Sequence, residues 1–331
     1  MKLNRFLLIA VVLVGLLVAY NLFTDKSRTI KGELRNFAVE DTAAIDRIFL
    51  ADKMGHQSLL TRTENGEWMV GEYKARPQAV RDLLVTLKKM VVKAPVAKSM
   101  QPKVLKDMAG VGQRKVEIYS NGTLLKTIYV GIETVDKLGT YMLIEGSSVP
   151  FEVHIPGHKG FLQTRFITDA RIWRDPILFR TDYREIRSIN VSYASSPNES
   201  FELRYDGLKP SLLVKGQNQQ ADSLLLYEYM NAYRNVVYEY VVTESFPQAK
   251  KDSILSSLPF VTVTLQDKKG NKTVVEGFRR ASTAKDVDLE GNQYPFDPDR
   301  MYALLNKKDF LLVQYFQFDK LMRSPASFVN R

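Results

Sequence analysis

The fold is decided by residues 116–131, which read VEIYSNGTLLKTIYVG. Two runs rich in β-branched and aromatic residues flank the pair Asn121-Gly122, and runs of this composition are typical of β-strands. An Asn-Gly pair between two such runs is a strong hairpin signal, because the favoured two-residue turn needs positive φ angles. This stretch therefore predicts an antiparallel hairpin.

Turn signals of the same kind occur on both sides of this hairpin. A glycine-containing turn separates residues 58–62 from residues 68–70, and another separates residues 141–144 from residues 151–153. Each flanking run has the length and composition of a short strand. Successive hairpins along the chain predict an antiparallel sheet.

A helix interrupts the strands after Pro77, because proline is favoured in the first turn of a helix. Five apolar residues recur there at helical spacing, namely Val80, Leu83, Leu84, Leu87 and Val91. Arg81, Lys88 and Lys89 occupy the opposite face, so this helix is expected to bury one side against the sheet. A shorter helix is predicted over residues 101–108. Strands with helices packed on them indicate an α+β fold.

The same order of elements recurs in the second half of the chain. Residues 186–189 correspond to residues 45–48 at an offset of 141, and residues 261–277 correspond to residues 116–131 at an offset of 145–146. Solenoid repeats are only about 20–50 residues long. The longer offset therefore predicts two tandem related domains of antiparallel sheet packed on helices.

Length and composition agree with this division. At roughly 100–200 residues per domain, 331 residues fit a first domain at 37–156, a connecting segment at 157–184 and a second domain at 185–331. The 17 Phe, 16 Tyr and 13 Pro exclude a coiled coil or a disordered tail. The absence of cysteine excludes disulfides, iron–sulfur clusters and thiolate zinc sites, and three histidines leave little room for a histidine-based centre.

The N-terminus has the composition of a membrane anchor. Residues 6–23 are apolar and span about 27 Å as a helix at ~1.5 Å per residue, enough for a bilayer core. A cleaved signal peptide is the alternative, although Leu17 and Tyr20 are large for a cleavage site. Basic residues lie on both sides of the apolar stretch, so their distribution does not determine its orientation in the membrane. The orientation is inferred from the short N-terminal tail, because such a tail usually stays in the cytoplasm. We expect residues 1–5 in the cytoplasm, residues 24–36 as a linker, and both domains in the periplasm, held at a bacterial inner membrane.

Much of the first half resembles the domain of unknown function 4340 family. The resemblance lies in FAVEDT (37–42), IFLADK (48–53), LTR (60–62), GEWMV (66–70), AVRDLL (79–84), VKAPV (92–96), YVG (129–131), GTYM (139–142) and WRD (173–175). It covers most of residues 37–180 and is less clear in the second half. It implies a membrane-anchored protein of a Gram-negative envelope. Some members are encoded near gliding-type ABC transporter components, which implies a membrane-complex partner. The family supplies no catalytic residues.

Two motifs resemble ligand sites but lack the required context. His154 and His158 have the spacing of two zinc ligands on a helix, but Pro156 and Gly157 disfavour a helix there. Residues 110–112 contain two glycines but lack the preceding strand and third glycine of a dinucleotide site. These motifs are interpreted as a domain-exit loop and a helix stop.

Residues 286–292 resemble the opening of a calcium loop, with acidic residues at alternate positions and glycine at the sixth. The twelfth position is Asp297 instead of a bidentate glutamate, and Pro295 intrudes. A polar insertion in the second domain is the favoured interpretation.

The sequence contains no recognisable catalytic motif. No serine lies in a nucleophile elbow, and spacing alone identifies no acid–base carboxylate pair. We therefore expect no catalytic, cofactor-binding or metal-binding residues.

Positive charge is concentrated between Lys74 and Lys106. This segment contains nine basic residues and one acidic residue, and its net charge of +8 is most of the chain's +10. A solvated helix face is one interpretation. The other is an interaction surface formed by Arg81, Lys88, Lys89 and Lys93, which would meet anionic headgroups or an acidic partner. Nucleic acid is not an expected partner, because the anchor places the domains outside the cytoplasm.

Five tyrosines lie close together in the second half, namely Tyr227, Tyr229, Tyr233, Tyr238 and Tyr240. They are interpreted as core residues, with a sugar-stacking platform as the alternative.

Two functional hypotheses follow from these observations. The first is a non-enzymatic binding or scaffolding component of a membrane complex, which fits the anchor, the duplication and the lack of a catalytic motif. The second is a hydrolase that acts on an envelope polymer through an unmarked carboxylate pair. A convergent pair of buried carboxylates in one cleft would favour the second.

Overall fold

The structure is a computed structural model that describes residues 32–110, 112–243 and 245–329. It consists mostly of antiparallel strands with a few helices, which confirms the α+β class. The chain divides into two compact units between Asp175 and Pro176. The predicted anchor at residues 6–23 lies outside the described residues. Among the helices of the described ranges, none has both the length and the apolar character needed to span a bilayer.

The first unit contains a nine-stranded sheet in the order β4-β3-β2-β1-β6-β7-β8-β9-β5. Its elements are β1 (Ile45–Asp52), β2 (Gln57–Arg62), β3 (Trp68–Val70), β4 (Tyr73–Lys74), α1 (Pro77–Lys89), β5 (Val91–Pro95), α2 (Gln101–Met108), β6 (Arg114–Ser120), β7 (Thr123–Glu133), β8 (Thr140–Ile144), β9 (Phe151–His154) and α3 (Ala170–Trp173). The predicted hairpin is confirmed, because β6 pairs with β7 around Asn121 and Gly122, which both have positive φ.

The second unit contains a nine-stranded sheet in the order β14-β13-β12-β11-β17-β18-β19-β20-β16. Its elements are β10 (Ile177–Phe179), β11 (Ile186–Tyr193), β12 (Phe201–Tyr205), β13 (Pro210–Val214), β14 (Gln217–Gln219), α4 (Ser223–Asn231), β15 (Val236–Val237), β16 (Tyr240–Val241), α5 (Gln248–Ser256), β17 (Val261–Asp267), β18 (Lys272–Arg279), β19 (Arg300–Leu305), β20 (Asp309–Gln314) and α6 (Tyr315–Phe318). Strand for strand, this order matches that of the first sheet.

Strand pairing also places equivalent residues at equivalent positions in the two sheets. Each central strand and its two neighbours contribute a buried trio, Ile48, Leu60 and Ile118 in the first unit and Ile189, Leu203 and Leu265 in the second. Ile118 and Leu265 are 147 residues apart, so the offset of 145–146 inferred from the sequence is too short by one or two. The buried face sets the register, because a slip of one residue would turn every core side chain outward.

Each sheet carries a helix on each of its two faces. Ile128 of β7 belongs to the core that holds α1, whereas the adjacent Tyr129 packs with α2. In the second unit, Val275 of β18 belongs to the core that holds α4, and Phe278 packs with α5. Residues an odd number of positions apart in a strand point to opposite faces. The helices therefore lie on opposite sides of each sheet.

The first helix ends two residues before the last position of its predicted apolar pattern. Val80, Leu83 and Leu87 are buried as expected, but α1 ends at Lys89 and Met90 already has extended backbone angles. Val91 begins the edge strand β5 and pairs with His154. The β-branched pair at the start of β5 favours a strand, and Pro95 disfavours a helix immediately before it.

Candidate functional site

The predicted interaction surface is solvent-exposed in the structure. Arg81, Lys88 and Lys89 lie on the exposed face of α1, and Lys93 lies on the edge strand β5. The Lys93 ammonium is 2.6 Å from the carboxylate of Asp136. Part of the Lys93 charge is therefore offset, and the three residues of α1 are the stronger part of this surface.

Acidic neighbours offset the charge of some basic residues of this segment, whereas one additional arginine offsets the charge of its acidic residue. Lys74 and Lys103 form ion pairs with Glu67 and Asp107, at 2.7 and 2.6 Å. The only acidic residue of the segment, Asp82, pairs with Arg165 at 3.1 Å. Cations in the last turn of a helix also interact favourably with its dipole, which gives Lys88 and Lys89 a structural role.

The ligand-like motifs are loops held by their own hydrogen bonds. His154 ends β9, whereas the backbone N–H of His158 closes a turn by donating to the carbonyl of Ile155. The Asp288 carboxylate accepts hydrogen bonds from the backbone N–H groups of Glu290 and Asn292. Within the described residues, no three His, Asp or Glu side chains are arranged to hold a metal ion.

The tyrosines of the second unit mostly belong to its core. The hydroxyl groups of Tyr229 and Tyr233 are 2.8 Å apart, and Tyr229 donates to the carbonyl of Leu321. Burial raises the pKa of both phenols well above the usual value, so both stay protonated. Tyr240, by contrast, is half exposed on the edge strand β16. The two most buried phenols are therefore not available to stack on a sugar.

A cleft of about 510 Å³ opens in the second unit and was not predicted from the sequence. Its volume lies within the range of ligand sites, roughly 300–1,000 Å³. Five aromatic side chains line it, namely Tyr193, Phe260, Tyr294, Phe296 and Tyr315. Tyr294 and Phe296 are 39% and 43% exposed, so their rings remain accessible to a ligand.

Arg279 is held in this cleft by aromatic contacts. It is the last residue of β18, and its guanidinium carbon lies 4.2 Å from the ring centre of Phe260 and 5.3 Å from that of Phe296. One guanidinium nitrogen is 3.4 Å from the hydroxyl of Tyr315. Stacking on aromatic rings fixes a guanidinium while leaving its N–H edge free to bind a ligand.

Two carboxylates line the cleft, and they differ in their surroundings. Asp297 is only 5% exposed and accepts hydrogen bonds from the backbone N–H groups of Asp299 and Arg300 and from the side chain of Arg280. Its oxygens therefore anchor the loop that precedes β19. Asp319 faces solvent, but desolvation by the cleft wall raises the pKa of its carboxyl above the usual value.

Two of the lining tyrosine hydroxyls, those of Tyr193 and Tyr315, are poor nucleophiles near neutral pH. Burial raises the pKa of Tyr193 to about 12, and its hydroxyl donates to the carbonyl of Arg323 at 2.9 Å. Burial also raises the pKa of Tyr315. Because Asp297 already accepts three hydrogen bonds, it is poorly suited to act as a general base beside Asp319. The arrangement is better suited to binding than to hydrolysis.

At the equivalent end of the first sheet, the segment after β9 is hydrogen-bonded to residues at the start of β6 and just before it. In the first unit, the fully buried Leu162 precedes a short 3-10 helix that follows β9. In the second unit, the fully buried Phe318 precedes a short 3-10 helix that follows β20. Gln163 follows Leu162, and its side-chain amide donates to the carbonyl of Gly112 at 2.8 Å. Arg114 donates to the Gln163 carbonyl in turn. In the second unit, Asp319 follows the buried Phe318 and lines the cleft.

One signal in the sequence could have indicated this cleft. Residues 280–299 form an insertion that contains Tyr294 and Phe296, and its sequence was interpreted as a polar insertion, with a calcium loop as the alternative. Neither models of protein families nor curated proteins give a match to the chain. The resemblance of residues 37–180 to the domain of unknown function 4340 family therefore stays a prediction.

Proposed function

We propose that the chain is a non-enzymatic binding component of the bacterial cell envelope and that the cleft of its second unit holds the ligand. The observation that carries this proposal is the open, aromatic-lined cleft in which the Arg279 guanidinium packs against aromatic rings. A cleft with exposed aromatic rings and a fixed cation has the features of a binding site.

The proposal includes the origin of the two units. The matching strand order and the equivalent buried trios support a tandem duplication. Membership in the domain of unknown function 4340 family is part of the same proposal. It rests on the sequence motifs of the first half.

The proposed setting is the periplasmic side of the inner membrane, with residues 6–23 as the tether. This part of the proposal rests on the apolar composition of those residues. A membrane-complex partner, such as gliding-type ABC transporter components, is proposed from the family resemblance. The exposed cations Arg81, Lys88 and Lys89 offer a second contact to an acidic partner or to anionic headgroups.

A pull-down of the full chain in mild detergent tests the proposal. We expect the wild-type chain to retain stoichiometric envelope components and the double variant Tyr294→Ala/Phe296→Ala to lose at least one of them. The matched control is Val287→Ala/Leu289→Ala, which removes exposed apolar groups of the same insertion that do not line the cleft. If the cleft variant retains every component that the control retains, the cleft is not the binding site.

A further inference from the structure

We infer that the cleft of the second unit binds an acidic saccharide, a sugar ring that carries one carboxylate. In this arrangement the carboxylate pairs with Arg279, the ring packs on Tyr294 and Phe296, and ring hydroxyls donate to Asp319. The inference rests on the proposed binding function of the same cleft and names the class of ligand.

Arg279 selects a negatively charged group. Among the cleft-lining residues that the structure describes, it is the only basic one. Its guanidinium packs against the rings of Phe260 and Phe296, so a ligand meets the N–H edge of the guanidinium. That edge matches the two oxygens of a carboxylate through parallel hydrogen bonds.

The local charge favours a monoanion over a phosphate dianion. Asp297 is already paired with Arg280 and does not neutralise Arg279. Asp319 adds a second negative group to the lining, and no further cation of the described lining offsets it. A dianion would therefore face one cation and an opposing carboxylate, whereas a single carboxylate balances Arg279.

The remaining surface favours a ring that carries hydroxyl groups. Tyr294 and Phe296 expose 39% and 43% of their surfaces and can cover the apolar face of a sugar ring. Asp319, Ser195 and Ser196 also line the cleft and require hydrogen-bond partners. A purely apolar acid would desolvate these groups without replacing their hydrogen bonds with water, which is costly.

Asp319 is suited to accept the ligand hydroxyls. Its carboxyl lies at the start of a 3-10 helix, and partial desolvation raises its pKa above the usual value. Hydroxyl donors of a sugar would relieve this desolvation. A ligand amine would do the same, so the test includes a peptide with a free carboxyl end.

The inference is tested by titrating the full chain in detergent with the methyl glycoside of galacturonate, a monoanion, and following binding by calorimetry and ligand-observed NMR. This galacturonate glycoside should bind, and its neutral methyl ester should bind about tenfold or more weakly, since the charge-assisted pair is lost. Arg279→Gln should weaken binding of the galacturonate glycoside by a similar factor. Arg279→Lys should recover only part of the affinity, because an ammonium lacks the two-pronged geometry. Arg204→Gln, an exposed arginine paired with Glu202 on β12, is the control and should bind normally.

Several results would overturn the inference. Equal binding of the ester, of benzoate, of glucose 6-phosphate or of a short peptide would show that the cleft does not select an acidic sugar. Normal binding by the Arg279 variants would place the site elsewhere, provided that their melting temperatures match the wild type. If no saccharide binds while Tyr294→Ala/Phe296→Ala still loses its envelope component, the binding function stands and the saccharide class is wrong. If both experiments fail, both proposals are wrong.

Discussion

At the scale of single residues, Gly131 shows how tightly α2 approaches the sheet. A Cβ atom at this position would lie 2.5 Å from Cγ of Met108 and 3.0 Å from the carbonyl oxygen of Tyr141. The methionine can shift, but the backbone carbonyl belongs to the neighbouring strand β8 and cannot. The close approach explains why a glycine interrupts an otherwise β-branched and aromatic strand.

Gly131→Ala should therefore destabilise the first unit by about 1–3 kcal/mol, the usual cost of overpacking a core. Urea unfolding followed by circular dichroism measures this change in the free energy of unfolding. Gly112→Ala is the matched control, because its added Cβ would meet nothing closer than 3.4 Å. Equal stability of the two variants would show that the sheet can relax around position 131.

Asp52 carries a pH-dependent contribution to stability. Burial raises the pKa of its carboxyl, but hydrogen bonds outweigh burial and leave the pKa below the usual value. The donors are the Thr168 hydroxyl at 2.6 Å, the imidazole of His56 at 3.0 Å and the backbone N–H groups of Met54 and His56. Because the folded pKa is lowered, the ionised carboxylate stabilises the fold above the unfolded pKa of about 3.9.

Asp52→Asn should cost about 1–3 kcal/mol at neutral pH, the range for hydrogen bonds to a charged group. The difference from wild type should shrink as the pH falls through the folded pKa, because the wild-type carboxyl then takes up a proton too. Unfolding free energies measured between pH 7 and pH 3 test this, with the exposed Glu40→Gln as control. A difference that stays constant with pH would contradict the charge-based explanation.

At the scale of elements, local signals predicted the hairpins and helices but not every strand. Asn121-Gly122 identified the β6–β7 hairpin because a two-residue turn depends only on adjacent residues. β5 was missed because five residues at a sheet edge form a strand only through pairing with β9, which is far along the chain. Strand order within each sheet depends on the same kind of distant contact.

Helix α1 yields a prediction about binding, because its buried and exposed faces are now assigned. Arg81, Lys88 and Lys89 project into solvent and each can contribute about 1 kcal/mol near an anionic surface at low salt. Changing all three to Glu should weaken binding of the full chain to its partner or to anionic vesicles by ~3 kcal/mol at low salt, and by less at physiological salt.

The same substitutions should lower the melting temperature only slightly, since acidic residues in a last helical turn oppose the dipole weakly. Lys215, Lys269 and Lys272 are exposed in the second unit, and their triple change to Glu is the charge-matched control. Vesicle sedimentation or pull-down measures the binding of both triple variants, and only the α1 variant should bind more weakly. If both triple variants bind alike, net charge alone acts and α1 is only a solvated face.

At the scale of the whole molecule, the candidate site lies beyond the reach of sequence patterns. The cleft joins Tyr193 at the end of β11, Arg279 at the end of β18 and Tyr315 just after β20. These residues are up to 122 positions apart in the sequence. Their proximity in the fold can be predicted only if the strand order of the sheet is already known. The basic segment was visible because its charges are close together in the sequence.

The two units also have separate hydrophobic cores, and this predicts that they unfold separately. One core contains Ile118 and its neighbours in the first sheet, and the other contains Leu265 and its neighbours in the second. Both side chains are almost fully buried at equivalent positions, so changing either to Ala should cost about 2–5 kcal/mol. Because each core closes on itself, the loss should remain within the unit that carries the change.

Hydrogen exchange followed by mass spectrometry tests this prediction on the full chain. Ile118→Ala should speed exchange in the strands between residues 45 and 154 and leave residues 186–314 unchanged, and Leu265→Ala should do the reverse. The two variants act as controls for each other, since both remove methyl-bearing groups from the buried centre of a nine-stranded sheet. Faster exchange in both units after a single change would mean that the cores fold as one cooperative body.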